Sequence, residues 1–182
     1  YLTIPADKSK TFFLQQKNIY DRLSSNFLSY SAPTSMGKSF IMHMFIKEQI
    51  MNGVKMNFAR IVPTKALINE MRNDTINDLK NILEEQNYRV VTAASDISLE
   101  EEHNFILIMT PERLLYFLIS NPDFQLDYLF IDEAHKIGGR NSRGPFYYKV
   151  VDLLSRKKQV PHFIFASPNI PNPEEYLKLV TE

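Results

Sequence analysis

The chain has 182 residues, 44% of them hydrophobic and 23% charged, which suits one globular domain with a full core. Lys+Arg and Asp+Glu balance at 21 each, so no global basic field draws the chain onto nucleic acid and any such contact must be local. The lack of cysteine excludes disulfides and thiolate metal sites. No apolar run is long enough to span a bilayer and no signal peptide opens the chain, so a cytoplasmic, intracellular protein without a membrane partner is expected. The chain starts at Tyr1, as an excised or processed piece of a longer protein would.

Residues 11–23 carry Phe12, Phe13, Ile19, Tyr20 and Leu23 at mostly helical spacing, which predicts a helix. Gln15 and Gln16 sit on it, where glutamine is ordinarily solvated surface. The short apolar run Phe27-Leu28-Ser29-Tyr30 comes next. Ser31-Ala32-Pro33-Thr34-Ser35-Met36-Gly37-Lys38-Ser39 then leads into an apolar-periodic run over 40–51, stopped by Asn52-Gly53. Strand, tight loop and helix, with Gly-Lys-Ser at the helix start, is the setting in which a loop wraps a nucleotide's phosphates. The backbone N–H groups of residues 35–39 would meet phosphate oxygens. Lys38 would reach the β- and γ-phosphates, and the Ser39 hydroxyl would take one place on Mg²⁺. The usual pattern opens with Gly, and Ala32 stands in its place. His43, among Met and Phe on the following helix, reads as packing rather than as a ligand.

Residues 56–62 read as a strand ended by Pro63-Thr64. Thr64 is the expected N-cap of a long helix reaching about Gln86, with Leu67, Ile68, Met71, Ile76, Leu79 and Leu83 as its apolar stripe. A short strand over 88–92 and an acidic turn over 99–104 follow. Phe105-Ile106-Leu107-Ile108-Met109 is a continuous apolar run, as expected of a strand covered on both faces. Thr110-Pro111-Glu112 supplies an N-cap and a proline at the first position of a helix that ends near Asn121-Pro122. Tyr128-Leu129-Phe130-Ile131 is a second buried run, ending in Asp132-Glu133-Ala134-His135. A Gly-rich stretch over 138–144 precedes a helix over 146–158. A strand over 161–166 ends in Ser167-Pro168-Asn169, and a helix over 174–180 closes the chain.

Strands alternate with helices, which predicts one α/β domain with a parallel sheet covered on both faces. In such sheets ligands bind outside the carboxyl ends of the strands. Five strand ends here carry unusual chemistry: the phosphate loop, Pro63-Thr64-Lys65, Thr110-Pro111-Glu112-Arg113, Asp132-Glu133-Ala134-His135 and Ser167-Pro168-Asn169. Asp132 could hold Mg²⁺ beside the loop, and Glu133 could orient and deprotonate an attacking water. Phe146-Tyr147-Tyr148 reads as core and edge packing rather than base stacking, and Arg156-Lys157-Lys158 as a solvated helix end. His103 and His162 have no metal-ligating partners at useful spacing, so no protein-only metal site is expected.

The set of motifs resembles the first RecA-like domain of a superfamily 2 helicase. Residues 31–39 look like motif I of that group, in which Ala at the Ala32 position is common. Pro63-Thr64-Lys65-Ala66-Leu67 resembles motif Ia, and Thr110-Pro111-Glu112-Arg113-Leu114 resembles motif Ib. Asp132-Glu133-Ala134-His135 resembles motif II of the Asp-Glu-Ala-His type, and Ser167 falls where motif III begins. Arg143-Gly144-Pro145 and Ile170-Pro171-Asn172-Pro173-Glu174 are similar to the superkiller-type subgroup. The resemblance covers essentially the whole chain. It implies a RecA-like P-loop three-layer sandwich with a mainly parallel sheet, and the cofactors ATP and Mg²⁺.

By that resemblance the nucleotide is held by Ala32, Pro33, Thr34, Ser35, Met36, Gly37, Lys38 and Ser39, with Asp132 and Ser39 on Mg²⁺. Lys38, Asp132, Glu133 and His135 are the implied catalytic set, His135 linking the nucleotide to the strand-binding side. Gln16 is the implied adenine reader, with Gln15 its rival. Thr64, Lys65, Thr110 and Arg113 would face the sugar-phosphate backbone of one nucleic acid strand, which positions the strand without reading sequence and is compatible with DNA or RNA. Ser167 and Asn169 would couple motif III to motif II. Two departures stand out. Motif III is usually Ser-Ala-Thr, and here Pro168 removes a backbone donor. Thr92-Ala93-Ala94-Ser95-Asp96 has no glycine where relatives carry one.

The implied activity is ATP hydrolysis that drives translocation or strand separation. Two other readings share these motifs: a nucleotide-gated nucleic-acid binding or assembly module with uncoupled hydrolysis, and a duplex translocase of a restriction or defence complex. A second RecA-like domain, which in this superfamily supplies arginine fingers, would be a partner beyond the 182 residues. The chain by itself is therefore expected to bind nucleotide weakly and to hydrolyse it slowly.

Overall fold

The apolar runs become strands of one sheet. The computed structural model describes residues 2–12, 14–23, 27–31, 38–96, 102–131 and 144–167. A small antiparallel pair opens the chain, β1 (Thr3–Ile4) with β2 (Asp7–Thr11). This hairpin was not expected: Asp7–Thr11 reads Asp-Lys-Ser-Lys-Thr and carries no apolar alternation to mark it. Then follow α1 (Leu14–Arg22), β3 (Phe27–Ser31), α2 (Lys38–Met51), β4 (Phe58–Ile61), α3 (Lys65–Leu79), α4 (Ile82–Glu85), β5 (Tyr88–Val91), β6 (Asn104–Met109), α5 (Pro111–Ser120), β7 (Tyr128–Ile131), α6 (Gly144–Ser155) and β8 (His162–Ser167).

β3 to β8 form a six-stranded sheet in the order β3-β8-β7-β4-β6-β5, and every pairing in it is parallel. β4, β6 and β7 are buried nearly throughout, because both faces are covered. The period of two along each strand sorts the side chains. Phe58, Ile106, Tyr128, Phe130 and Ile164 face the layer that contains α1 and α2. Ala59, Leu107, Leu129, Ile131, Phe163 and Phe165 face α5 and α6. Two helical layers on one parallel sheet are the expected three-layer α/β sandwich.

α2 has six consecutive buried residues, Ile41 to Ile46, because it lies on the sheet with α1 and α3 beside it. It ends where Asn52-Gly53 said it would, with Gly53 at φ +76. The long helix expected from Thr64 to about Gln86 is instead two helices. The chain breaks at Lys80, which has φ 47, and its N–H closes back onto the Ile76 carbonyl at 2.8 Å. Leu79 and Leu83 are buried on either side of the break, so a continuous apolar stripe hid the stop. The expected helix over 174–180 lies outside the described residues.

α1 is fastened to α2 through Tyr20, whose hydroxyl hydrogen-bonds the Glu48 carboxylate and whose ring packs on Phe12 and Phe45. Burial raises the Glu48 carboxyl above its ordinary value, and Lys17 pulls it back down. Gln16 lies one turn before Tyr20, on the same face of α1.

Candidate nucleotide site and strand edge

The parallel register aligns the carboxyl ends of the strands. Ser31 of β3 pairs with Ser167 of β8, Ile131 of β7 with Phe165 of β8 and with Ile61 of β4, and Ile61 with Met109 of β6. The motif-bearing segments therefore leave the sheet along one edge, although they are spread over more than 130 residues of sequence. The helices that follow, α2, α3 and α5, start from that edge, with their N-terminal N–H groups and positive dipole ends toward it.

Lys38 opens α2, one residue before Ser39, whose half-buried side chain is in the first turn. A hydroxyl at the start of a helix, on the carboxyl edge of a parallel sheet, suits a phosphate-bound Mg²⁺. Ala32, Pro33, Thr34, Ser35, Met36, Gly37, Asp132, Glu133, His135 and Asn169 lie outside the described residues, and Ser167 is described only as the last residue of β8. Gln16 is 6% exposed, so the solvated-surface reading fails for it.

The expected strand-facing residues divide. Thr64 and Lys65 are exposed, with Thr64 at the N-cap of α3 in extended conformation and without a side-chain cap bond. Arg113 is half-buried and donates to the Thr92 carbonyl at 3.1 Å, tying α5 to the segment after β5. Thr110 corrects the expectation: its side chain is 1% exposed. Residue 110 directly follows a strand buried on both faces and is drawn under the edge with it. It occupies the N-cap position of α5, with Pro111 at the first helical position, but its side chain makes no cap hydrogen bond. Tyr147 is fully buried and Tyr148 is half exposed, in line with core and edge packing.

A buried polar cluster lies directly behind Ser39, and the sequence reading missed it. Arg60 of β4 is 5% exposed and donates from Nη2 to Ser39 Oγ at 2.7 Å. Its Nη1 is 3.3 Å from His43 Nε2. The other ring nitrogen, Nδ1, is 2.6 Å from Asp78 Oδ2 on α3. Thr75 Oγ1 donates to the Met71 carbonyl at 2.7 Å and lies 3.1 Å from His43 Nε2. His43 is thus not simple packing. The available signals were an arginine inside an apolar strand, which demands polar partners, and the helical spacing of Ser39 with His43 and of Thr75 with Asp78.

The hydrogen bond from His43 holds the Asp78 carboxyl below its ordinary value, against the opposing effect of burial. A depressed carboxyl contributes stability that is present above its unfolded value, near 3.8, and is lost as pH falls through the lower folded value. Glu48 and Asp127 are raised by burial and act in the opposite sense. The contribution of Asp78 is therefore read as a difference. Asp78→Asn should lower the urea midpoint above pH 4, and the gap to the unchanged chain should close as the solution is acidified below that. A gap independent of pH would remove the account in which the His43 hydrogen bond stabilises the ionised Asp78 carboxylate.

Among known protein families, the DEAD/DEAH box helicase pattern matches residues 13–176, nearly the entire chain. The chain belongs to the DEAD/DEAH box helicase family. It is 24% identical over 163 residues to an uncharacterized ATP-dependent helicase of Methanocaldococcus jannaschii, MJ1574, covering 81% of this chain and 24% of that protein. Its fold is similar to that of the DUF1998 helicase MrfA, with a TM-score of 0.65 and 21% identity over 93% of this chain and 28% of that one. It is also similar to the Hef helicase domain of Pyrococcus furiosus, with a TM-score of 0.67 and 20% identity over 92% of this chain and 36% of that one. The chain spans about a quarter to a third of the length of these relatives. The architecture of this helicase-family domain is RecA-like α/β. No helix among its described residues is long and apolar enough to cross a membrane.

Proposed function

We propose that this domain is the ATP-binding motor domain of a nucleic-acid-dependent ATPase of the helicase type, which hydrolyses the β–γ bond of ATP to drive translocation or strand separation. The observation that carries the reading is the register of the sheet, in which the strands leading into the phosphate loop, motif Ia, motif Ib, motif II and motif III end along one edge.

The backbone N–H groups over 35–39 would cradle the phosphates, and Lys38 would pair with the β- and γ-phosphates. Ser39 and Asp132 would hold Mg²⁺, which when bound neutralises charge developing on the phosphates. Glu133 accepts a proton from the attacking water as the β–γ bridging oxygen leaves with ADP. Gln16, on the helix packed against α2, reads the adenine. His135, with Ser167 at the end of the strand beside β7 and with Asn169, passes the state of the nucleotide to the strand-binding side. Thr64, Lys65 and Arg113 contact the backbone of one nucleic acid strand at the starts of α3 and α5, and residue 110 contributes there through its place at the N-terminus of α5 rather than by its buried side chain. The chemistry of Pro168-Asn169 in place of Ala-Thr favours, as a second reading, a nucleotide-gated binding module whose hydrolysis is uncoupled.

Lys38→Ala tests the reading through equilibrium binding of a fluorescent ATP analogue with Mg²⁺. Loss of a charge-assisted contact worth about 1.5–3 kcal/mol should weaken binding roughly 10- to 100-fold, with the unfolding midpoint unchanged. Unaltered binding would remove the nucleotide site from this loop.

A further inference from the structure

A charged residue in the centre of a sheet needs a reason. Arg60 stands in a four-residue strand in which every side chain is buried, between Ile108 of β6 and Phe130 of β7. The parity of β4 points its side chain to the face of Phe58, under α2 and α3. There the guanidinium links His43 to Ser39 in a chain of contacts that runs from α3 to the start of α2: Asp78 to His43, His43 to Arg60, Arg60 to Ser39.

The protons along this chain can be assigned from donors and acceptors. A guanidinium only donates, so His43 Nε2 accepts from Arg60 and the ring proton is on Nδ1. That proton is donated to the Asp78 carboxylate at 2.6 Å. The ring cannot rotate without breaking contacts on both sides, and it is 2% exposed. His43 and Asp78 thereby fix the guanidinium plane, and the guanidinium fixes the Ser39 side chain. A serine in the first turn of a helix otherwise samples several rotamers. The bond from Nη2 selects one and occupies one lone pair of Oγ, which leaves the second lone pair for a cation and the hydroxyl proton for an acceptor.

We propose that Arg60, held in place by His43 and Asp78, is a positioning residue that orients the Ser39 hydroxyl for Mg²⁺–nucleotide. This inference rests on the reading of Ser39 as a metal ligand. It adds three residues from α2, β4 and α3 that act behind the ligand, in the way that outer partners of metal-ligating side chains set affinity, with typical losses of about 10- to 100-fold on removal.

The test is an Mg²⁺ titration of fluorescent ATP-analogue binding to the chain. Arg60→Met should raise the Mg²⁺ needed for half-saturation about tenfold and leave Mg²⁺-free nucleotide binding nearly unchanged. Arg60→Lys should restore part of the loss, because an ammonium reaches one partner where the fork reaches two. In a Ser39→Ala background Arg60→Met should have no further effect, a pattern that a general packing role does not produce. An unchanged or lowered Mg²⁺ requirement in Arg60→Met, or an equal loss in the Ser39→Ala background, overturns the proposal. Should Arg60→Met fail to fold, Asp78→Asn and Arg60→Lys decide it: both must shift the Mg²⁺ requirement upward, by about two- to fivefold, and no shift in either overturns it. Failure of the underlying reading is separate. It would appear as Mg²⁺–nucleotide binding that is unaffected by Ser39→Ala.

Discussion

Glu133→Gln in the full-length protein is expected to lower nucleic-acid-stimulated ATP turnover by about 10²–10⁴-fold, the usual contribution of a positioned general base. The substitution keeps the size and a hydrogen-bonding oxygen of the side chain but removes its ability to accept a proton. Lys38, Ser39 and Asp132 are untouched, so ATP and Mg²⁺ binding should persist, and ATP-dependent strand binding should be retained or increased. Initial rates of phosphate release, with nucleotide and strand affinities measured in parallel, check this. The outcome also separates the two functional readings. A motor loses turnover from a substantial starting rate, whereas a binding module starts with negligible turnover and changes little. Loss of nucleotide binding in Glu133→Gln would assign the residue to ligand holding instead.

Phe130→Ala should be the most destabilising of the substitutions considered, at about 3–5 kcal/mol for a fully buried phenylalanine. Phe130 is 1% exposed, in β7 between β4 and β8, and its ring stacks on Tyr128 at 6.1 Å between centroids. Its neighbours below α2 are held by the sheet, so the space it leaves cannot easily collapse. For a chain of this size each kcal/mol lowers the unfolding temperature by roughly 2–4 °C, so a fall of roughly 6–20 °C is expected. The urea midpoint should fall with the slope m unchanged. A loss below about 1 kcal/mol would mean that the central strand is not packed as described. The same strand leads into Asp132 and Glu133, so the variant should lose nucleotide binding at temperatures where it has begun to unfold.

Much of the frame was legible from residue order alone. Continuous apolar runs such as Phe105 to Met109 and Tyr128 to Ile131 identified buried parallel strands, because only a strand covered on both faces needs no polar side. Gly53 and Pro111 marked one helix end and one helix start for reasons internal to the backbone. Where the signal failed, a competing effect explains it. The break at Lys80 lies within an unbroken apolar stripe, and the β1–β2 hairpin is built of polar residues. Thr110 belongs to a motif that suggested an outward role, yet its burial follows from the strand it ends.

The sequence by itself determined the class of fold, the family and the short motifs, because these depend on local periodicity and on residues close together in the chain. It could not place Arg60, His43, Thr75 and Asp78 around Ser39. Those five positions span 40 residues and three elements, and what unites them is the parity of β4 under α2 and the packing of α3 beside it. Only the tertiary structure decides which face of a strand a charged side chain enters and which groups await it there. A buried guanidinium can be tolerated only where such groups are already gathered, so its partners become visible when the layers close around it.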